Sequence, residues 1–152
     1  MLDIPTSSSM LFAGIAQDEA NLMLPCLGAR RRAFGREERI MRAGQPTEHL
    51  GIVLSGRVRI EVSDAWGETT ILDILGPGSL FAHGYACSME PLDIDVLADT
   101  ACEVVLLKAE RIIHSCPKQC GCHAHISSNL MRALALSNLD MNRRAIAMTP
   151  KT

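Results

Sequence analysis

The chain has 152 residues, 47% of them hydrophobic and 21% charged, which supplies a core for one domain and excludes wholesale disorder. Fifteen basic side chains oppose seventeen acidic ones, for a net charge of -2, so the basic excess of a domain that grips nucleic acid by itself is missing. No apolar run is long enough to cross a bilayer, and Met1 to Met10 lacks the basic start and apolar centre of a secretion signal. A cytoplasmic protein without membrane contact is expected, its six cysteines thiols or metal ligands rather than disulfides.

In chain order, Ser9 to Leu27 opens the fold. Leu11, Ile15 and Leu22 have helical spacing, Ser9 is a candidate cap, and Pro25 ends the region. Arg30, Arg31, Arg32 and Arg36 follow as a basic patch, read as a solvated loop and strand edge. From about Glu38 the apolar residues fall into short runs broken by turn formers at Ala43-Gly44-Gln45-Pro46, Ser55-Gly56, Ser63 to Gly67 and Gly76-Pro77-Gly78. Strict alternation in Arg57-Val58-Arg59-Ile60-Glu61-Val62 marks a half-buried strand. A further strand pair spans Ile94 to Val96 and Cys102 to Leu107. Many short strands with frequent glycine turns predict a closed or double-sheet β architecture.

After Lys108 the pattern turns helical. Ala109 to His114 suits a short helix stopped near Cys116-Pro117. His123 to Met148 contains neither glycine nor proline and predicts one long helix. Ile126, Leu130, Leu134, Met141, Ala145 and Met148 form a stripe on it, with a second at Leu136, Leu139 and Ile146. Two stripes predict one face on the domain and one on a partner helix, with the first stripe from Leu130 onward assigned to the dimer seam. Between the helices, Cys116, Cys120, Cys122 and His123 could together hold tetrahedral zinc or take part in an iron–sulfur site, although cysteine also packs as a small hydrophobe.

This order of elements resembles the sensor half of CRP/FNR-type transcription regulators. Glu38 to Gln45 is similar to that family's opening strand and first glycine turn, and Ile52 to Ile60 to its "I-L-x-G-x-V-x-I" hairpin. Asp73 to Phe81 resembles the "L-x-P-G-x-x-F" turn at the ligand pocket, and Asp99 to Val104 the strand that closes the roll. The resemblance implies a mainly β fold with flanking helices: a double-stranded β-helix (a cupin-like jelly roll) followed by a long dimerisation helix. It divides the chain into 1–115, the effector domain, and 116–152, the cysteine-rich junction and helix. It also implies a homodimer that would engage DNA only through a winged helix-turn-helix domain absent from this sequence.

The resemblance places an effector pocket at Gly78, Ser79, Leu80, Phe81, Ala82, His83, Asp93 and Asn129. Cyclic nucleotide is a poor candidate for it. Ala82-His83 stands where the family's Gly-Glu pair holds the ribose, and Leu92 or Asp93 stands near the phosphate-binding arginine. Neither can neutralise a phosphate, and Asp93 repels one. A small organic effector of unknown identity, or a haem held through His83, is the alternative. Enzyme function is not expected: His123 and His125 sit on a helix rather than on a cupin strand, and no nucleophile elbow, phosphate loop or His-Glu-x-x-His motif occurs.

Overall fold

The alternation at Val58 to Val62 becomes an inner strand of a two-sheet roll. The structure, a computed structural model, describes residues 9–114 and 123–148. Eight antiparallel strands form two four-stranded sheets. The first runs in the order β1 (Arg30–Phe34), β8 (Cys102–Lys108), β3 (His49–Ser55), β6 (Leu80–Phe81). The second runs β2 (Arg39–Met41), β7 (Asp95–Ala98), β4 (Val58–Ser63), β5 (Thr69–Leu75). This is the expected jelly roll with a long C-terminal helix.

Side-chain alternation along β8 divides the core in two. Cys102, Val104 and Leu106 face the second sheet and pack with Val53, Val58, Ile60, Phe81 and Val96. Val105 and Leu107 face the other way, onto a layer of helices. That layer holds a 3-10 turn (Met10–Phe12), α1 (Gln17–Met23), α3 (Ala109–Ile113) and α4 (His123–Met148). Leu11, Phe12, Leu24, Ile112, Ile126 and Leu130 are its buried anchors. Each such side chain contributes on the order of 1.5–3 kcal/mol on burial. The remaining helix, α2 (His83–Ser88), follows β6.

Several elements differ from the sequence reading. The helical spacing from Ser9 resolves into the 3-10 turn and the short α1, with the Ser9 hydroxyl accepting from the Leu11 N–H at 3.2 Å. Most of the arginine patch lies in regular structure: Arg30, Arg31 and Arg32 open β1, which pairs with β8 along one edge of the first sheet. An edge strand needs only one neighbour, so its side chains stay exposed and a charged run is tolerated.

Arg59 alternates with apolar residues as a solvent-facing residue would, yet it is only 9% exposed. Its guanidinium donates to both carboxylate oxygens of Glu37, at 3.0 and 2.6 Å, to Asp99 at 2.9 Å, and to Glu61. Glu37 reaches it from a left-handed backbone position, φ 69°. The guanidinium holds the Glu37 carboxyl below its ordinary range, and the carboxylates push the Arg59 pKa further up. Replacing Arg59 with Met leaves three carboxylates facing one another. The carboxylates are partly solvated, so the expected loss at pH 7 is about 2 kcal/mol rather than the full cost of a buried pair. Because the Glu37 pKa is depressed in the fold, its contribution is complete above the unfolded carboxylate range and fades as pH falls through the folded value. The stability gap between wild type and R59M, measured by urea denaturation, is therefore expected to close on acidification from pH 7 to pH 3.

Candidate functional site

Between the roll and α4 lies a cleft of about 300 Å³, at the low end of small-molecule sites. One wall is the loop carrying Gly78, Ser79, Leu80 and His83, and the other is α4, through Ala133, Leu136, Ser137 and Asp140. Met10 from the N-terminal turn completes the lining. The four helix residues lie three to four positions apart, so they share one face of α4.

His83 spans the two walls. Ala82, before α2, adopts φ 60° and ψ 12°, a left-handed conformation costing roughly 1 kcal/mol for a residue with a Cβ. The turn there sends His83 toward the helix, where its Nε2 is hydrogen-bonded to Ser137 Oγ at 2.9 Å. Its Nδ1 is buried and has no partner. Burial pushes the His83 pKa down, so the ring is neutral at pH 7 and leaves one hydrogen-bonding nitrogen unsatisfied beside the cleft.

Among the described residues lining the cleft there is no lysine or arginine. Asp140 is paired with Arg144 Nε at 2.9 Å, and the same guanidinium reaches Asp73 on β5 at 3.4 Å. The lining is therefore apolar at Met10, Leu80, Ala133 and Leu136, with neutral hydrogen-bonding groups at Ser79, His83 and Ser137.

Of the residues the sequence assigned to an effector pocket, Gly78, Ser79, Leu80 and His83 line this cleft. The other pocket residues lie elsewhere. Phe81 is 2% exposed and packs its ring over Gly51 inside the roll; a Cβ on that glycine would lie 2.0 Å from Phe81 Cζ. Ala82 is buried and shapes the turn without lining the cleft. Asp93 is exposed near Tyr85, whose pKa burial raises first and the Asp93 charge second. Leu92, its neighbour, is buried in the core. Asn129 does not line the cleft: its side-chain amide donates to the carbonyls of Leu11 and Ala13, both at 2.9 Å, and ties α4 to the N-terminal turn. Met10, Ala133, Leu136, Ser137 and Asp140 were not singled out for the pocket by the sequence. Helical spacing groups the last four once the rotation of α4 is known, and nothing local sets that rotation.

Of the dimer stripe, Leu130 is 3% exposed and belongs to the domain's own core. Leu134 is half-buried against that core, whereas Met141 and Ala145 are exposed. The Met148 side chain lies outside the described residues. So do Cys116, Cys120 and Cys122. His123 is described; its Nε2 is buried without a partner. Among the described residues no group of three His, Cys, Asp or Glu side chains gathers to hold a metal.

An antiparallel roll backed by helices, with a cleft against a long C-terminal helix, has the architecture of a cyclic nucleotide-binding domain. The chain belongs to the cyclic nucleotide-binding domain family, whose profile matches residues 31–116. Its fold matches the catabolite activator protein of Thermus thermophilus with a TM-score of 0.69 and 26% identity, over 90% of this chain and 63% of that one. The chain therefore spans less than two thirds of that regulator. It also matches the sensor domain of the transcriptional regulator DNR from Pseudomonas aeruginosa (TM-score 0.67, 15% identity, 95% of this chain and 90% of that one). A cyclic nucleotide-binding domain from Methylobacillus flagellatus KT matches with a TM-score of 0.74 and 15% identity, over 93% of this chain and 78% of that one. No curated protein matches the chain by sequence. Among the described residues no helix is long and apolar enough to cross a membrane.

Proposed function

We propose that the chain is the effector-sensing and dimer-forming part of a cytoplasmic CRP/FNR-type transcription regulator, without catalytic activity, and that its effector is not a cyclic nucleotide. The observation that carries this reading is the His83–Ser137 bridge across a cleft with α4 as one wall. A molecule that enters the cleft must replace or strain that hydrogen bond, and so acts on the helix directly. The helix would pass the change to its twin and to a DNA-binding domain beyond it, so the ligand's differential fit to two helix orientations sets the output.

The lining also supports the chemistry proposed for the effector. A cyclic phosphate needs a cation or a fan of free N–H donors. Here the carboxylate of Asp140 lines the cleft, its arginine partner is shared with Asp73, and α2 has only six residues. An uncharged small molecule with an apolar body and one hydrogen-bonding group fits better, with the unsatisfied ring nitrogen of His83 as its polar contact. A haem iron would compete with Ser137 for His83 Nε2, so the haem reading has less support. Calorimetric titration with cAMP and with cGMP tests the effector class: up to about 1 mM, no saturable heat is expected. A micromolar dissociation constant for either would overturn it.

A further inference from the structure

We propose that the face of the first sheet at the open end of β1, β3 and β8 is a binding site for a small phosphate-bearing anion, held by Arg30, Arg32, Lys108 and His49. Strand register brings these four together. His49 is paired with Lys108, Arg30 with Leu106, and Arg32 with Val104. Directly opposed residues share a face, so all four side chains leave the sheet on the side of Leu106 and Val104. Phe81 closes the interior over Gly51 on that side. The cluster therefore sits at the mouth of the roll, apart from the cleft against α4.

Its cations are not tied up in ion pairs. Among the described residues no carboxylate forms an ion pair with Arg30, Arg32 or Lys108. Their charges reach His49, and among the described residues Glu48 is the one carboxylate whose charge acts on it in the opposite sense. Burial first, and Lys108 second, push the His49 pKa down, so the ring is neutral at pH 7. Its Nε2 is buried and has no hydrogen-bond partner. The Lys108 stem is steered by the Gly28 backbone, where an added Cβ would lie 3.2 Å from Lys108 Cδ. A protein with a net charge of -2 thus holds three cations and an unsatisfied imidazole nitrogen on one face.

The size of the cluster selects the ligand. Adjacent strands lie about 4.8 Å apart, so β3 to β1 spans roughly 10 Å, the reach of one or two phosphate groups. Arg31, on the opposite face of β1, is occupied by Glu103 at 2.6 Å, so the unpaired charge does not continue around the edge as an extended acidic peptide would require.

The test is a titration of the intact chain with pyrophosphate, read on the His49 ring resonances by NMR, against sodium chloride at matched ionic strength. A saturable shift is expected with pyrophosphate only, together with a rise in the His49 pKa on binding. K108Q and R30Q should each weaken binding at least about fivefold with unchanged thermal unfolding. A shift that grows linearly and is matched by chloride, or one that survives both substitutions, would overturn the site. Saturable binding of a hexaglutamate peptide with none of pyrophosphate would also overturn it, in favour of a protein-docking surface.

Discussion

Gly56→Ala is expected to destabilise the fold by about 4 kcal/mol or more, a large share of the 5–15 kcal/mol typical of a domain. Gly56 turns the chain between β3 and β4 at φ 74°. A Cβ there would sit 2.2 Å from the carbonyl oxygen of Ala101 and 2.8 Å from Cys102 Cβ. The first of these is backbone and cannot rotate away, so the turn and the start of β8 must separate. Gly67→Ala provides the control. Gly67 has φ 82°, but a Cβ would meet nothing within 4 Å, so only the left-handed strain remains, about 1 kcal/mol. Urea denaturation of the two variants separates the effects. Equal losses would show that the contact with Ala101 is not what makes glycine necessary at position 56.

Both glycines read as turns in the sequence, but only the folded chain distinguishes the crowded one. The same limit runs through the fold. Strands are legible because alternation and glycine punctuation are local, and the long helix because 26 residues pass without glycine or proline. Relations between distant segments are not local. Arg59 looks solvent-facing until Glu37 and Asp99 are folded over it, and Asn129 looks available to a pocket until Leu11 and Ala13 take its amide. The loop half of the cleft was readable at Gly78 to His83. The helix half was not, because α4 carries apolar residues all round, and its rotation is fixed by Ile126, Leu130 and Ala133 meeting a core assembled from elsewhere. Arg30 to Arg32 lie beyond the first strand expected from the alternation, since an edge strand needs no buried face to be held by β8.

On the proposed pairing of α4 with its twin, Met141→Glu is expected to convert the dimer into monomers. α4 is about 39 Å long at 1.5 Å per residue, and only its first half is buried: Ile126, Leu130 and Ala133 are buried, whereas every residue from 135 to 147 is exposed. Leu134, Asn138, Met141 and Ala145 step by four, three and four, the spacing of a coiled-coil seam, on a flank next to the face that packs on the roll. Met141 is 66% exposed there, and Ile71, Leu72 and Ile74 on the edge strand β5 add further exposed apolar surface. Burying a methionine from each helix contributes roughly 1.5–3 kcal/mol per copy. Placing two carboxylates across the seam forfeits both and adds repulsion, so dimer dissociation should strengthen by about 100-fold or more. Arg143→Glu, on the far side of the helix, should leave association within about threefold of wild type. Sedimentation equilibrium measures both. If M141E remains as dimeric as wild type, the twin does not meet α4 along this flank, and the exposed row of Leu136, Leu139 and Ile146 becomes the surface to substitute next.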